Sequence, residues 1–145
     1  AGTTDSSVYE GLKDVLQRHP RITMVAYEPD TIVKKFLRAR IDPDRTTPPT
    51  GPDSPRLDVE WRFEGADQSY RIHYADPNTG LNCGWHCDED HPKLGPVHFQ
   101  YETPSGEQDY ESARFEKEVP TEILWTALAR LFDERLPELA RPEER

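Results

Sequence analysis

Four of the five histidines, both cysteines and the longest run of two-residue alternation fall within one stretch, Arg71 to Gln100. Its chemistry-bearing residues are Arg71, His73, His86, Asp88, His91 and His98, with Glu60 and Arg62 a short way upstream. An imidazole titrates near neutral pH, so one histidine can take a proton while a second returns it. A guanidinium forks onto phosphate oxygens and neutralises the charge that develops there. Together these groups suit a phosphodiester. One imidazole would deprotonate a ribose 2′-hydroxyl, another would protonate the leaving oxygen, and the arginines would hold the phosphate.

Strand parity decides which of these side chains share a face. Leu57, Val59, Trp61 and Phe63 alternate with Asp58, Glu60, Arg62 and Glu64, and Tyr70, Ile72 and Tyr74 alternate with Arg71 and His73. Leu81, Cys83, Trp85 and Cys87 alternate with Asn82, Gly84, His86 and Asp88, and Val97, Phe99 and Tyr101 with His98, Gln100 and Glu102. Such alternation marks strands with one apolar face. Hairpins that set Trp61 opposite Ile72, Ile72 opposite Trp85 and Trp85 opposite Phe99 would place Arg62, Arg71, His86 and His98 in one row. Glu60, His73, Gly84 and Gln100 would form the next. Neighbours in a row would stand about 5 Å apart and the row would span about 14 Å. This register predicts His86 and His98 as the acid/base pair, with Arg62 and Arg71 on the phosphate. His91 extends the site from the following loop, and His73, Gln100 and Glu60 contact substrate. Gly84, lacking a side chain, would leave room for a ligand. Arg71 disfavours an imidazolium and Asp88 favours one, so which histidine is acid and which base stays open.

A metal is the chemical competitor. The spacing Cys83-x-x-His86-Cys87-x-x-x-His91 has the ligand types of a structural zinc site. Parity argues against it, because Cys83 and Cys87 share a face with Trp85 while His86 takes the other; the cysteines are expected as small buried hydrophobes. A zinc or manganese site built from His86, Asp88, His91 and His98 is the alternative to chemistry without a cofactor. A reading of a different class is a non-enzymatic protein whose polar face holds a protein partner or an anionic ligand.

Supporting elements are legible on either side. Ser7-Val8-Tyr9-Glu10 fits a capping box for a helix within residues 3–19 that carries Val8, Leu12, Val15 and Leu16, with His19 as a solvated cation at its end. Ile22 to Tyr27 and Thr31 to Ile41 read as strands around a turn at Glu28-Pro29-Asp30. Residues 42–56 carry five prolines and read as a surface loop without regular structure. Thr103 to Glu118 reads as a long hairpin or loop. Thr121 is expected to cap a helix with a stripe of Leu124, Trp125, Leu128, Leu131, Phe132 and Leu136, ended by Pro137. Residues 138–145 are expected to be a flexible tail. The expected fold is α+β: one domain over residues 1–145, with an antiparallel meander of four to six strands and the N- and C-terminal helices packed on one face.

Composition narrows the setting. The chain has 145 residues, the size of one ordinary domain. It shows neither a membrane span nor a secretory leader, and two cysteines suit a reducing compartment, so a cytoplasmic protein is expected. Twenty-eight acidic residues oppose 18 basic ones, 13 of them Arg, for a net charge of −10. That surface resembles those of haloarchaeal proteins. Acidity disfavours nucleic acid as a partner at low salt, but at about 1 M salt the Debye length is about 3 Å, and RNA is no longer excluded.

The series His86, an acidic run from Asp88 to Asp90, His91-Pro92 and then His98 resembles the core of the TumE-like toxins of type II toxin–antitoxin pairs. His-Tyr at 73–74, Cys-Gly-Trp-His at 83–86 and His-x-Gln at 98–100 also resemble uncharacterised small haloarchaeal proteins. The toxin resemblance covers residues 57–102, and within it His91 and His98 match the family's histidines. It implies a ribonuclease-like toxin neutralised by an antitoxin partner, often a helix-turn-helix or nucleotidyltransferase-like protein.

Overall fold

A computed structural model describes residues 3–46 and 49–139. Helix α1 (Ser6–Arg18) leads into seven strands: β1 (Ile22–Pro29), β2 (Lys34–Ile41), β3 (Arg56–Glu64), β4 (Asp67–Ala75), β5 (Asn82–Cys87), β6 (Val97–Glu102) and β7 (Gln108–Ser112). Helix α2 (Pro120–Arg130), a π turn over Leu131–Arg135 and the short α3 (Leu136–Leu139) close the described chain. All seven strands form one antiparallel sheet in sequence order, a pure meander. The fold is thus α+β as expected, with seven strands rather than four to six. β7 carries the excess: it is an edge strand with little burial, so nothing forces apolar alternation onto it.

One face of the sheet is the core. Leu37, Leu57, Val59, Trp61, Ile72, Tyr74, Cys83, Trp85 and Phe99 point into it, and Tyr9, Leu12 and Leu16 of α1 and Ile123, Leu124 and Leu128 of α2 cover them. Trp61 and Tyr70 stack at 4.4 Å there. Among the described residues no helix is long and apolar enough to cross a membrane.

Several local expectations are corrected. The cap of α1 is Asp5, not Ser7: the Asp5 carboxylate accepts from the backbone N–H of Ser7 at 2.9 Å and of Val8 at 3.3 Å, and Ser7 Oγ donates to it at 2.7 Å. His19 is not a solvated cation. Its ring lies 5.0 Å from that of Phe132, its Nδ1 accepts from the Arg21 N–H, and burial pushes its pKa down. Helix α2 is capped by Val119 with Pro120 in its first turn, so Thr121 is already helical. Trp125 of the predicted stripe is 54% exposed, and Ile123 and Ala127 are buried instead. Pro137 does not end the helix. The chain widens into the π turn just before it, with the Leu136 N–H donating to Leu131 O, and this accommodates a residue that lacks an N–H.

The proline-rich loop holds one turn of 3₁₀ helix, Pro43–Arg45, capped by Asp42. Its return limb is tied down: the Asp53 N–H donates to Asn78 Oδ1 at 3.0 Å and Asn78 Nδ2 donates to Asp53 O at 2.8 Å. Thr47 and Pro48 lie outside the described residues. Of the expected tail, residues 138 and 139 belong to α3, and residues 140–145 lie outside the described residues.

Candidate functional site

The sheet face away from the helices carries the polar residues, and the register sets their order. On β4, β5 and β6 the pairing is the expected one, with Ile72 opposite Trp85 and Trp85 opposite Phe99. Arg71 therefore faces His86, and His86 faces His98. Between β3 and β4 the register is displaced by two residues from the expected one. The hairpin closes through Gly65-Ala66 alone, with Gly65 at φ 61°, so that Glu64 meets Asp67 and Val59 meets Ile72. A positive φ at the first of two turn residues is what glycine supplies to a tight hairpin. As a result Glu60, not Arg62, faces Arg71, and Asp58 faces His73. Arg62 sits opposite Ser69, 3.6 Å from the Glu60 carboxylate, and lines a separate depression with Asp88. The two rows are Glu60, Arg71, His86, His98 and Asp58, His73, Gly84, Gln100.

The histidines form a continuous chain of rings. His73 Nε2 lies 3.2 Å from Asn82 Oδ1, and His73 Nδ1 lies 3.2 Å from His86 Nε2. The His86 and His98 ring centres are 5.3 Å apart, and His98 Nε2 is 3.0 Å from Gln100 Oε1. His91, brought back by the loop before β6, stands edge-on to His98 at 4.6 Å and against Tyr110 of β7 at 4.6 Å. Beneath these rings His98 is only 1% exposed, and among the described residues its Nδ1 has no hydrogen-bond partner. Sequence reasoning did not single out Asn82 or Tyr110: Tyr110 extends the second row opposite Gln100, within the stretch read as a long hairpin or loop, and Asn82 lies one row beyond, opposite Ala75 and Glu102.

Gly84 has a use other than the expected one. A Cβ there would stand 2.2 Å from Ile72 O and 2.9 Å from His73 Nδ1. The missing side chain makes room for the His73 ring, which crosses the strand to reach His86; it does not leave an open seat for a ligand.

Electrostatics fix the state of two rings. Burial, reinforced by the Arg71 charge, lowers the His73 pKa to about 4. Burial and the neighbouring His73 and Arg71 lower that of His86 to about 3. Both imidazoles are neutral at neutral pH; His73 Nε2–H donates to Asn82 Oδ1 and its Nδ1 accepts from His86 Nε2–H, which leaves the His86 Nδ1 lone pair to offer to a proton or a metal.

Of the expected metal set, ligand atoms of His86, Asp88 and His98 lie within 4.8 Å of one another. The thiols do not join them. Cys83 is buried in the core, where burial pushes its pKa up to about 12, and Cys87 Sγ donates to Gln68 O at 3.7 Å.

The family model described as Toxin TumE matches residues 12–131, from the first helix to the end of α2. No curated protein and no solved structure matches the chain.

Proposed function

The chain belongs to the TumE toxin family, and we propose that it is a toxin that cleaves RNA phosphodiesters at the imidazole row, held in check by an antitoxin partner. The observation that carries this reading is the alignment of Arg71, His86 and His98 on three adjacent strands, with His91 closing over the last of them. His86, unprotonated in the free protein, is the base that takes the 2′-hydroxyl proton once the charge of a bound phosphate offsets the burial and the cationic neighbours that hold its pKa down. The freed oxygen attacks phosphorus, and Arg71 holds the phosphate oxygens as charge builds on them. The half-buried His91 returns a proton to the leaving oxygen. Buried His98 is a positioning residue that supports the rings of His86 and His91.

A second reading is favoured by one observation, the partnerless buried Nδ1 of His98 beside His86 and Asp88. Two imidazoles and a carboxylate are donors that zinc or manganese accepts, and His91, whose ring centre is 4.6 Å from that of His98, lies outside the group of three. A metal held there would supply an activated water and a Lewis acid to the same phosphate.

RNA cleavage by purified protein in high-potassium buffer separates these readings. With EDTA present, the wild type should still cut, and His86→Ala should lower the rate by about 10²- to 10⁴-fold. Cleavage that requires added zinc or manganese moves the chemistry to the metal site. No cleavage under any condition, combined with loss of an antitoxin complex in the same variant, makes the polar face a binding surface instead.

A further inference from the structure

At the other end of the same face lies a cleft of about 420 Å³ lined by Arg40, Arg56, Arg71, His73 and Asn82. Arg40 of β2 and Arg56 of β3 are direct cross-strand partners. Like charges set opposite each other on a sheet destabilise it, yet this acidic chain, with 28 carboxylates, places a pair of arginines here. Among the described residues none of the three arginines makes an ion pair with an acidic side chain, whereas nearby Arg38 is held by Asp58 at 2.9 Å. The local carboxylates are engaged elsewhere. Glu60, opposite Arg71, lies by Arg62. Asp76, which also lines the cleft, is buried and accepts from Asn78 N–H, Asn78 Nδ2 and Thr79 Oγ1 within its own turn.

We infer that this cleft binds a phosphate of the RNA strand, with Arg40 and Arg56 as its ligands, a few nucleotides away from the bond cut at His86. The inference rests on the ribonuclease reading for the identity of the strand, and on the unpaired arginines for the site itself. Arg71 belongs to both the cleft and the row of His86 and His98, and His73 joins the two through its contact with His86, so one chain of phosphates can follow the face without a break. Arg56 and Glu60 are four residues apart on β3, about 13 Å along the strand, which sets the distance between the two phosphate seats.

The test is fluorescence anisotropy with a 2′-O-methyl oligoribonucleotide, which binds but lacks the attacking hydroxyl, over a range of KCl. The proteins are wild type, the double variant Arg40→Gln/Arg56→Gln, and Arg18→Gln on α1 as control. The double variant should bind about tenfold more weakly at low salt, and its plot of log K against log salt should be shallower by about 0.7, the contribution of one neutralised phosphate on a single strand. Its melting temperature should equal or exceed the wild type's, because a like-charge pair has been removed; weaker binding is then not a sign of misfolding. Equal affinity and slope in wild type and double variant would overturn the inference and leave the ribonuclease reading standing. Loss of binding in the double variant, from a wild-type protein that cuts no RNA, would keep the cleft and overturn the ribonuclease. A wild type that binds no oligonucleotide at all would overturn both.

Discussion

At the residue scale the site depends on rings that share a narrow space, and two predictions follow from that crowding. Gly84→Ala drives a Cβ to 2.2 Å from Ile72 O, a backbone atom that cannot step aside. The expected cost is about 1–3 kcal/mol, the usual range for overpacking, together with loss of the His73–His86 contact. Urea unfolding measures the first, and the His73 and His86 ring resonances in NMR report the second; an unperturbed variant would mean that the strands are not so closely set. The neutral histidines also link stability to pH. Burial lowers the pKa values of His73 to about 4 and His86 to about 3, and depresses that of His19. A histidine whose folded pKa lies below its unfolded one contributes its full stability above about pH 6.5 and loses it as the pH falls toward the folded value. The unfolding free energy, measured with EDTA present, should therefore decline from pH 6.5 to pH 4, by on the order of 1 kcal/mol per pH unit for each of His73 and His86, with His19 adding in the same direction. Replacing His73 and His86 by Gln should flatten most of that slope and leave the part due to His19. A slope unchanged in the double variant would place the linked protons elsewhere.

At the scale of elements, the joint between β2 and β3 decides whether the sheet holds together on its helix side. Their pairing runs only from Leu37↔Val59 to Arg40↔Arg56. Beyond it, the Tyr9 hydroxyl of α1 donates to Lys35 O at 2.6 Å and accepts from the Trp61 N–H at 3.3 Å, bridging the strands where their own ladder stops. Tyr9→Phe keeps the ring packing but strands both backbone groups, and should cost about 1–3 kcal/mol in urea unfolding; a neutral effect would show that the bridge is not needed. That joint was not legible in the sequence, where Tyr9 passes for one more apolar position on a helix. The strands themselves were legible because a sheet covered on one side forces alternation, as in Leu57 to Phe63. Register was only half legible. A slip of two residues keeps every side chain on its own face, so alternation could not distinguish Arg62 from Glu60 as the partner of Arg71. The tight Gly65-Ala66 turn made that choice. For the same reason the His86–His98 pairing could be read in advance and the cleft of Arg40 and Arg56 could not: it depends on two junctions, β2 to β3 and β3 to β4, that the pattern leaves free.

At the scale of the whole molecule, arginines cluster at one end of the open sheet face, around Asp58 and Glu60. The net charge is −10, yet the open sheet face gathers Arg38, Arg40, Arg56 and Arg71. The acidic excess is carried by the surface as a whole, where it repels itself and also opposes the approach of a polyanion. Raising the salt from about 0.1 M to about 1 M shortens the Debye length from about 10 Å to about 3 Å. Self-repulsion between well-separated carboxylates is then largely screened, whereas contact between an arginine and a phosphate within the cleft retains more of its strength. The urea midpoint should therefore rise over that range in KCl. The Arg40→Gln/Arg56→Gln variant, with a net charge two units more negative, should gain at least as much as the wild type, since it has more repulsion to screen. A midpoint that stays flat or falls with KCl would mean that the acidic surface does not set the stability of this fold. In that case neither would it shape the salt range in which the arginine face meets its ligand.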